Sequence, residues 1–443
     1  MTDNKNISER TARTQWFNEA RFGMFIHWGL YAIPARGEWL RSRERMAHED
    51  YMRYFHEFTA EQYDPREWAR IAKQAGMRYA VLTAKHHDGF CLWDTALTDF
   101  KSTNTPAGRD LVREFLDAFR AEGIKVGLYY SIIDWRHEDY PHYGDMHHPH
   151  RADETQGNEH RNFDRYLEFM HGQVRELLSD YGHLDIMWYD FSYDGMRGDK
   201  WKAQELIDMV RELQPHLIVD NRLEGSGEHS GTILTSEPSD YAGDFACPEQ
   251  MIPPAGIRNE SGDLVPWEAC ITLNNHWGYV ADDPHYKSAE MVIRMLVECV
   301  SKNGNLLLNV GPDAKGRIPK ESVDILREVG DWMADNHESI YGCGISDEAK
   351  PEWGRFTQKG NTLYAHVFEA QVGGLCLPDL AGRIKQVRRL ADKSEVLLTD
   401  YWNLLEYPEH AFVFMNPKTA DNYPLADERD TVLEIILKEK SDT

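Results

Sequence analysis

The run His183–Asp190, HLDIMWYD, decides the fold. It is nearly continuous in apolar residues instead of alternating, which is the pattern of a strand buried on both faces of a parallel sheet. It ends on a carboxylate. The same texture recurs upstream in Gly23–Gly29 (GMFIHWG), Tyr79–Lys85 (YAVLTAK) and Lys125–Ser131 (KVGLYYS). It recurs downstream in Leu217–Arg222 (LIVDNR) and Asn305–Gly311 (NLLLNVG), with weaker candidates at Gly243–Cys247 (GDFAC) and Trp267–Asn274. Helical patterns separate these runs. Asp64-Pro65-Arg66-Glu67 offers an N-cap, a proline at the first helical position and a glutamate at the third, and Gly76 is a natural stop. In Arg109–Glu122, Leu111, Val112, Phe115, Leu116 and Phe119 fall on one helical face. Arg161–Leu178, Lys200–Leu213, Ser288–Val300 and Glu321–Met333 read as helices too.

Strand–helix alternation of this kind gives an α/β fold, and eight candidate strands favour a closed (β/α)8-like TIM barrel over an open sheet. Two stretches interrupt the alternation, His137–Asn162 and Glu224–Pro266. Long irregular segments inside a compact domain are often functional. After Tyr341 the texture changes to short strand-like pieces, Thr362–Phe368, Glu395–Leu398, Ala411–Met415 and Thr431–Leu437, punctuated by Gly, Pro, Asp and Asn. The expected organisation is a catalytic barrel over residues 1–342 and a C-terminal all-β sandwich domain over 343–443.

Composition narrows the function. Among 443 residues, 49 Lys and Arg face 74 Asp and Glu, a net charge of −25 that repels phosphate backbones and argues against a nucleic-acid partner. The 13 Trp and 21 Tyr suit a sugar-binding cleft, whose rings stack on pyranose faces, and suit an aromatic core equally. Cys91, Cys247, Cys270, Cys299, Cys343 and Cys376 are scattered without a CxxC pair, so neither a disulfide framework nor a zinc knuckle is expected. Met1–Arg13 is polar with no apolar h-region, and no run of about 20 apolar residues occurs. The chain therefore reads as cytoplasmic, with no membrane partner. A homo-oligomer is compatible with the sequence but not legible in it.

Barrel enzymes place their active sites at the C-terminal ends of the strands. Those ends here carry His27-Trp28, Lys85-His86-His87-Asp88, Tyr129-Tyr130, Trp188-Tyr189-Asp190 and Asp220-Asn221-Arg222. The three histidines fit metal ligation or hydrogen bonding to hydroxyl groups. The His-x-His that opens many metal-dependent barrels is replaced by His27-Trp28, and adjacent His86 and His87 should alternate in direction on a strand, so no metal and no cofactor is expected. Asp190 would be costly to bury without purpose. One reading makes it a helix cap; the other makes it a nucleophile forming a glycosyl-enzyme intermediate, with Trp188 flanking the sugar. A glycosidase needs a second carboxyl to protonate the leaving oxygen. Glu224, Glu237, Glu249 and Glu268 are all available, and spacing alone does not choose among them. The apolar neighbours of Glu249 could raise its pKa towards that of a useful acid, which favours it on chemistry.

Seven ordered blocks resemble glycoside hydrolase family 29, the α-L-fucosidases. They are WFNEARFGMFIHWGLYAIPARGEW at 16–39, AKHHDGFCLWDT at 84–95, GLYYSIIDW at 127–135, LDIMWYD at 184–190, GDFACPEQ at 243–250, PWEACITLNNHWGY at 266–279 and SKNGNLLLNVGP at 301–312. The resemblance implies a retaining, exo-acting α-L-fucosidase that removes terminal L-fucose from a fucosylated oligosaccharide or glycoside by double displacement. It further implies Asp190 as nucleophile, Glu249 as acid/base, and a sugar pocket drawing on His27, Glu38, His86, His87, Tyr129, Trp188, Arg222 and Trp267. The alternatives are a metal-dependent barrel hydrolase or isomerase built on the three histidines, and a sugar-binding homologue without turnover.

Overall fold

A computed structural model describes residues 2–142, 146–153, 157–193, 195–398, 403–416 and 422–439. Seven parallel strands form one curled sheet: β1 (Phe22–Ile26), β2 (Tyr79–Lys85), β3 (Lys125–Ser131), β4 (Ile186–Asp190), β5 (Ile218–Val219), β6 (Glu268–Thr272) and β7 (Asn305–Val310). Their order is β5-β4-β3-β2-β1-β7-β6, so the first strand lies inside the sheet, paired with both β2 and β7. Helices packed on the outer face include Pro65–Gln74, Leu111–Ala121, Phe163–Asp180, Ala203–Leu213, Ala289–Val300 and Lys320–Asn336. Asp64 caps the first of these by accepting from the amides of Arg66 and Glu67, as its spacing predicts. The polar N-terminus, which carries no apolar period, also folds as a helix, Thr2–Ala20.

The expected strand at Gly243–Cys247 is not a regular one. Between the sheet edges β5 and β6 the chain makes only single parallel bridges, Asp220 with Phe245, Ala246 with Trp267 and Glu249 with Cys270. Two residues explain this. Gly243 has φ +86°, and a Cβ there would stand 2.2 Å from the Asp220 carbonyl oxygen, a close approach that only glycine permits. Pro248 has no N–H to give to a ladder. The segment still does a strand's work. Phe245 and Cys247 pack inside the barrel with Phe25, Tyr129, Trp188 and Leu307, so the seam closes the eighth sector. β5 is short for a related reason: the side chains of Asp220 and Asn221 replace ladder partners, accepting from the amides of Tyr189 and Cys247.

The two irregular stretches are as expected. The described residues of 137–162 contain no helix or strand, and 224–266 contains only a short turn at Gly231–Leu234 besides isolated bridges. Beyond the last barrel helix come two antiparallel sheets: β8 (Gly354–Lys359), β9 (Thr362–Val367), β11 (Ile384–Arg389) and β14 (Thr431–Leu437) in one, β10 (Leu375–Leu377), β12 (Leu397–Leu398) and β13 (Ala411–Phe414) in the other. Leu363, Ala365, Leu375, Val413, Leu433 and Ile435 share one core. This β-domain is docked on the barrel by Trp332 Nε1 donating to the Asp430 carbonyl and by the Arg355–Glu298 ion pair.

Candidate active site

A cavity of about 800 Å³ opens at the C-terminal ends of the strands. Asp190, the last residue of β4, and Glu249, from the seam, both line it. Arg222, just after β5, joins them. Its Nη1 donates to Asp190 Oδ1 at 3.1 Å and its Nη2 to Glu249 Oε2 at 3.0 Å. Nη2 also reaches the Cys247 carbonyl at 3.2 Å, and the Trp188 ring lies 4.9 Å from the guanidinium carbon. The other oxygen of Asp190 accepts from the Tyr129 hydroxyl at 2.7 Å. Burial pushes the Asp190 carboxyl up to about 6, against the pull of Arg222 and with the Glu249 charge adding to the rise. Arg222 thus offsets the burial only in part, and Asp190 is mostly ionised at neutral pH. The apolar enclosure expected around Glu249 is not what the fold supplies: its carboxylate pairs with Arg222, and its side chain is 37% exposed.

The three histidines meet in the same cavity, each neutral because burial lowers its pKa. His27 Nδ1 is 2.7 Å from Asn309 Oδ1, and the Asn309 amide nitrogen donates to the Trp277 carbonyl at 2.8 Å. Asn309 therefore presents its oxygen, His27 Nδ1 carries the proton, and Nε2 is left as an acceptor. His87 repeats the device. Ser131 Oγ gives its hydrogen to the Ile133 carbonyl and accepts from His87 Nδ1 at 2.7 Å, which leaves Nε2 as a lone pair 3.8 Å from Asp190 Oδ2. With His87 neutral, that approach is not an ion pair. Among the described residues, His86 Nδ1 is buried without a partner. The alternation expected of His86 and His87 does not apply, because β2 ends at Lys85; their rings lie 4.1 Å apart and both line the cavity. Among the described residues no group of three or more His, Cys, Asp or Glu has the geometry to hold a metal ion.

His27, His86, His87, Tyr129, Trp188, Asp190, Arg222 and Glu249 are thus brought together. Trp267 is not among them. Strand alternation turns it outward, where its ring packs against Gly304 and its Nε1 donates to the Lys302 carbonyl. Its neighbour Glu268 takes the inward place and lies inside the barrel, fully buried, accepting from Trp188 Nε1 at 2.9 Å and from the Tyr79 hydroxyl at 2.7 Å. Burial pushes its carboxyl up to about 7, but it does not line the cavity. Glu224 is also spent elsewhere, accepting from Ser239 Oγ and the Thr232 amide. Glu38 stands behind the wall, buried, with Oε2 accepting from the Gly278 amide at 2.8 Å. Sequence reasoning missed Trp277, Trp39 and Phe25, which line the cavity. Trp277 lies in the same 266–279 block, ten residues past Trp267.

Two acidic side chains facing one cavity at the mouth of a parallel barrel are the arrangement of a glycoside hydrolase. Comparison with known proteins narrows this. The sequence profile described as Alpha-L-fucosidase matches residues 2–338, and the chain belongs to that family. It is similar to the solved Alpha-L-fucosidase isoenzyme 1 from Paenibacillus thiaminolyticus, with 59% identity and a TM-score of 0.93 over 97% of this chain and 100% of that one. A GH29 α-L-fucosidase from Bacteroides thetaiotaomicron, solved as a trapped covalent intermediate with 2-fluoro-fucosyl fluoride, aligns with a TM-score of 0.80 at 26% identity over 96% of each chain. The α-L-fucosidase of Dictyostelium discoideum is 28% identical over 402 residues, 84% of this chain and 81% of that protein.

Proposed function

We propose that this chain is a retaining exo-α-L-fucosidase that releases terminal α-linked L-fucose from glycans or glycosides, with Asp190 as nucleophile and Glu249 as acid/base. The observation that carries this is the single Arg222 guanidinium holding both carboxylates at the rim of one cavity. The covalent intermediate trapped on the Bacteroides thetaiotaomicron relative supports a double displacement. In the first step an Asp190 oxygen bonds to C1, the glycosidic C1–O bond breaks, and Glu249 gives its proton to the leaving oxygen. In the second, Glu249 takes a proton from water, the water oxygen bonds to C1, and Asp190 leaves. Tyr129 and Arg222 fix the orientation of the attacking carboxylate. His27 and His87 present acceptor nitrogens for sugar hydroxyls, and the aromatic rings of the wall suit the C6 methyl. Phe25, Tyr129 and Trp188 fill the barrel beneath the cavity, so a glycan enters by its end.

The test is Asp190→Ala with 4-nitrophenyl fucoside. Turnover should vanish with the fold intact, and azide or formate should restore part of it. The first sugar released by the wild type should be the α-anomer by NMR; a β-anomer first would overturn the retaining reading. Loss of activity on chelation would point instead to the metal-dependent alternative, and no release at high enzyme concentration to a binding protein without turnover.

A further inference from the structure

The cavity exceeds what one deoxyhexose fills. Its volume of about 800 Å³ lies in the range of roughly 300–1,000 Å³ that encloses a drug-sized molecule. Part of its wall is built just after the nucleophile, by Phe191, Ser192, Tyr193 and Arg197. Hydrogen bonds anchor the described residues on either side of Arg197. Tyr193 and Met196 exchange backbone hydrogen bonds at 3.1 and 2.6 Å, and the Gly198 amide donates to the Leu223 carbonyl at 2.8 Å. Trp201 is buried, with Nε1 shared between Ser192 Oγ and the Met196 carbonyl. Arg197 sits between these anchors, and its side chain lines the cavity.

Arg197 differs from the other arginine there. Arg222 pairs through its two terminal nitrogens with Asp190 and Glu249, leaving its Nε alone without a partner among the described residues. Arg197 Nε is buried without an acceptor, and among the described residues the guanidinium has no hydrogen bond or ion pair. A guanidinium presents a fork of N–H donors that can bind two oxygens of a carboxylate or a sulfate at once. In a chain of net charge −25, a cation at a substrate cavity that no described residue neutralises points to a counter-charge brought by the ligand. Glu228 lines the same cavity but is exposed, where water and salt screen it.

We infer that Arg197 forms an aglycone subsite for an anionic group, the carboxylate of a uronic acid or a sulfate ester, on the sugar that bears the fucose. This rests on the fucosidase reading of the same cavity. The test compares kcat/KM for three matched fucosyl disaccharides, with a neutral galactoside, a galacturonate or a 6-sulfated galactoside as the second sugar, beside 4-nitrophenyl fucoside. The wild type should favour at least one anionic member over the neutral one by about tenfold, the scale of one charge-assisted contact. The carboxylate and sulfate arms identify which anion is read. Arg197→Gln should bring that ratio near one, and Arg197→Lys should keep part of it, having the charge without the fork. Because the readout is a ratio within each variant, a general loss of folded enzyme cancels. A wild-type ratio near or below one, or a preference that survives Arg197→Gln, overturns the subsite alone. A wild type that releases nothing even from the aryl fucoside overturns the subsite and the fucosidase reading together.

Discussion

Replacing Asp190 by Asn should abolish turnover and make the protein more stable at neutral pH. The Asp190 carboxyl is pushed from an ordinary 3.8 up to about 6, with burial the largest cause, and its side chain is 14% exposed. A rise of about 2 units at about 1.4 kcal/mol per unit corresponds to about 3 kcal/mol. An acid whose pKa is higher folded than unfolded binds its proton more tightly in the native state. Native stability therefore falls as pH rises through the window from about 4 to about 6, and the deficit persists above it. Asparagine carries no charge to bury. It does return part of the gain, because its amide nitrogen faces one of the donors Tyr129 or Arg222, at a cost of about 1–2 kcal/mol. The net expectation is a variant more stable by about 1–2 kcal/mol at about pH 7.5, with the advantage shrinking or reversing at about pH 4.5, where wild-type Asp190 becomes protonated. Thermal unfolding of both proteins at the two pH values measures this. A variant that melts lower at neutral pH would show that the partners of the carboxylate outweigh its burial and would refute the reasoning.

The same ionisation should appear in kinetics: kcat/KM for an aryl fucoside should fall on the acid side with an apparent pKa near 6, because only the ionised carboxylate attacks; a profile flat down to about pH 4.5 would count against Asp190 as nucleophile. Glu268→Gln should lower the melting temperature at about pH 5, where the wild-type carboxyl, pushed up to about 7 by burial, is already protonated and the change relieves no buried charge, since the two donors Tyr79 and Trp188 then share one acceptor oxygen, a loss of about 1–3 kcal/mol; unchanged melting and KM would show that Glu268 does not hold the Trp188 ring. Gly243→Ala should destabilise by about 1–3 kcal/mol or more and lower kcat, because φ +86° and the 2.2 Å approach to the Asp220 carbonyl leave no room for a Cβ and displace the seam that carries Glu249; melting and turnover like the wild type would contradict that geometry.

The regular strands were legible because a strand buried on both faces leaves an unbroken apolar run, and Tyr79–Lys85 and Lys125–Ser131 match the structure residue for residue. Asp190 was legible for the converse reason, as a charge where the run should have stayed apolar. The seam was half legible: GDFAC had the right composition, but a Gly of positive φ and a Pro without a donor are local geometries that periodicity does not report. Trp267 was misplaced because the resemblance covers the whole 266–279 block without saying which of its tryptophans faces the cavity; the answer lay in Glu268, whose partners Tyr79 and Trp188 come from other strands. Trp39, Trp277 and Arg197 come from loops, where no period exists to read. The N-terminal helix Thr2–Ala20 carries no apolar stripe over its first turns, so nothing in that stretch announces it.

The two carboxylates ride on carriers of unequal stiffness. Asp190 ends a ladder whose register is fixed along β3, so a one-residue slip there would turn every side chain of the strand to the other face. Glu249 rides on a stretch tacked to the barrel by single bridges, with an irregular approach of more than twenty residues behind it. Lengthening or shortening that approach disturbs no ladder. On the roles proposed for these two residues, a lineage can therefore remodel the space that receives the departing group, and the reach of its proton donor, while the bond-forming half of the machine stays untouched.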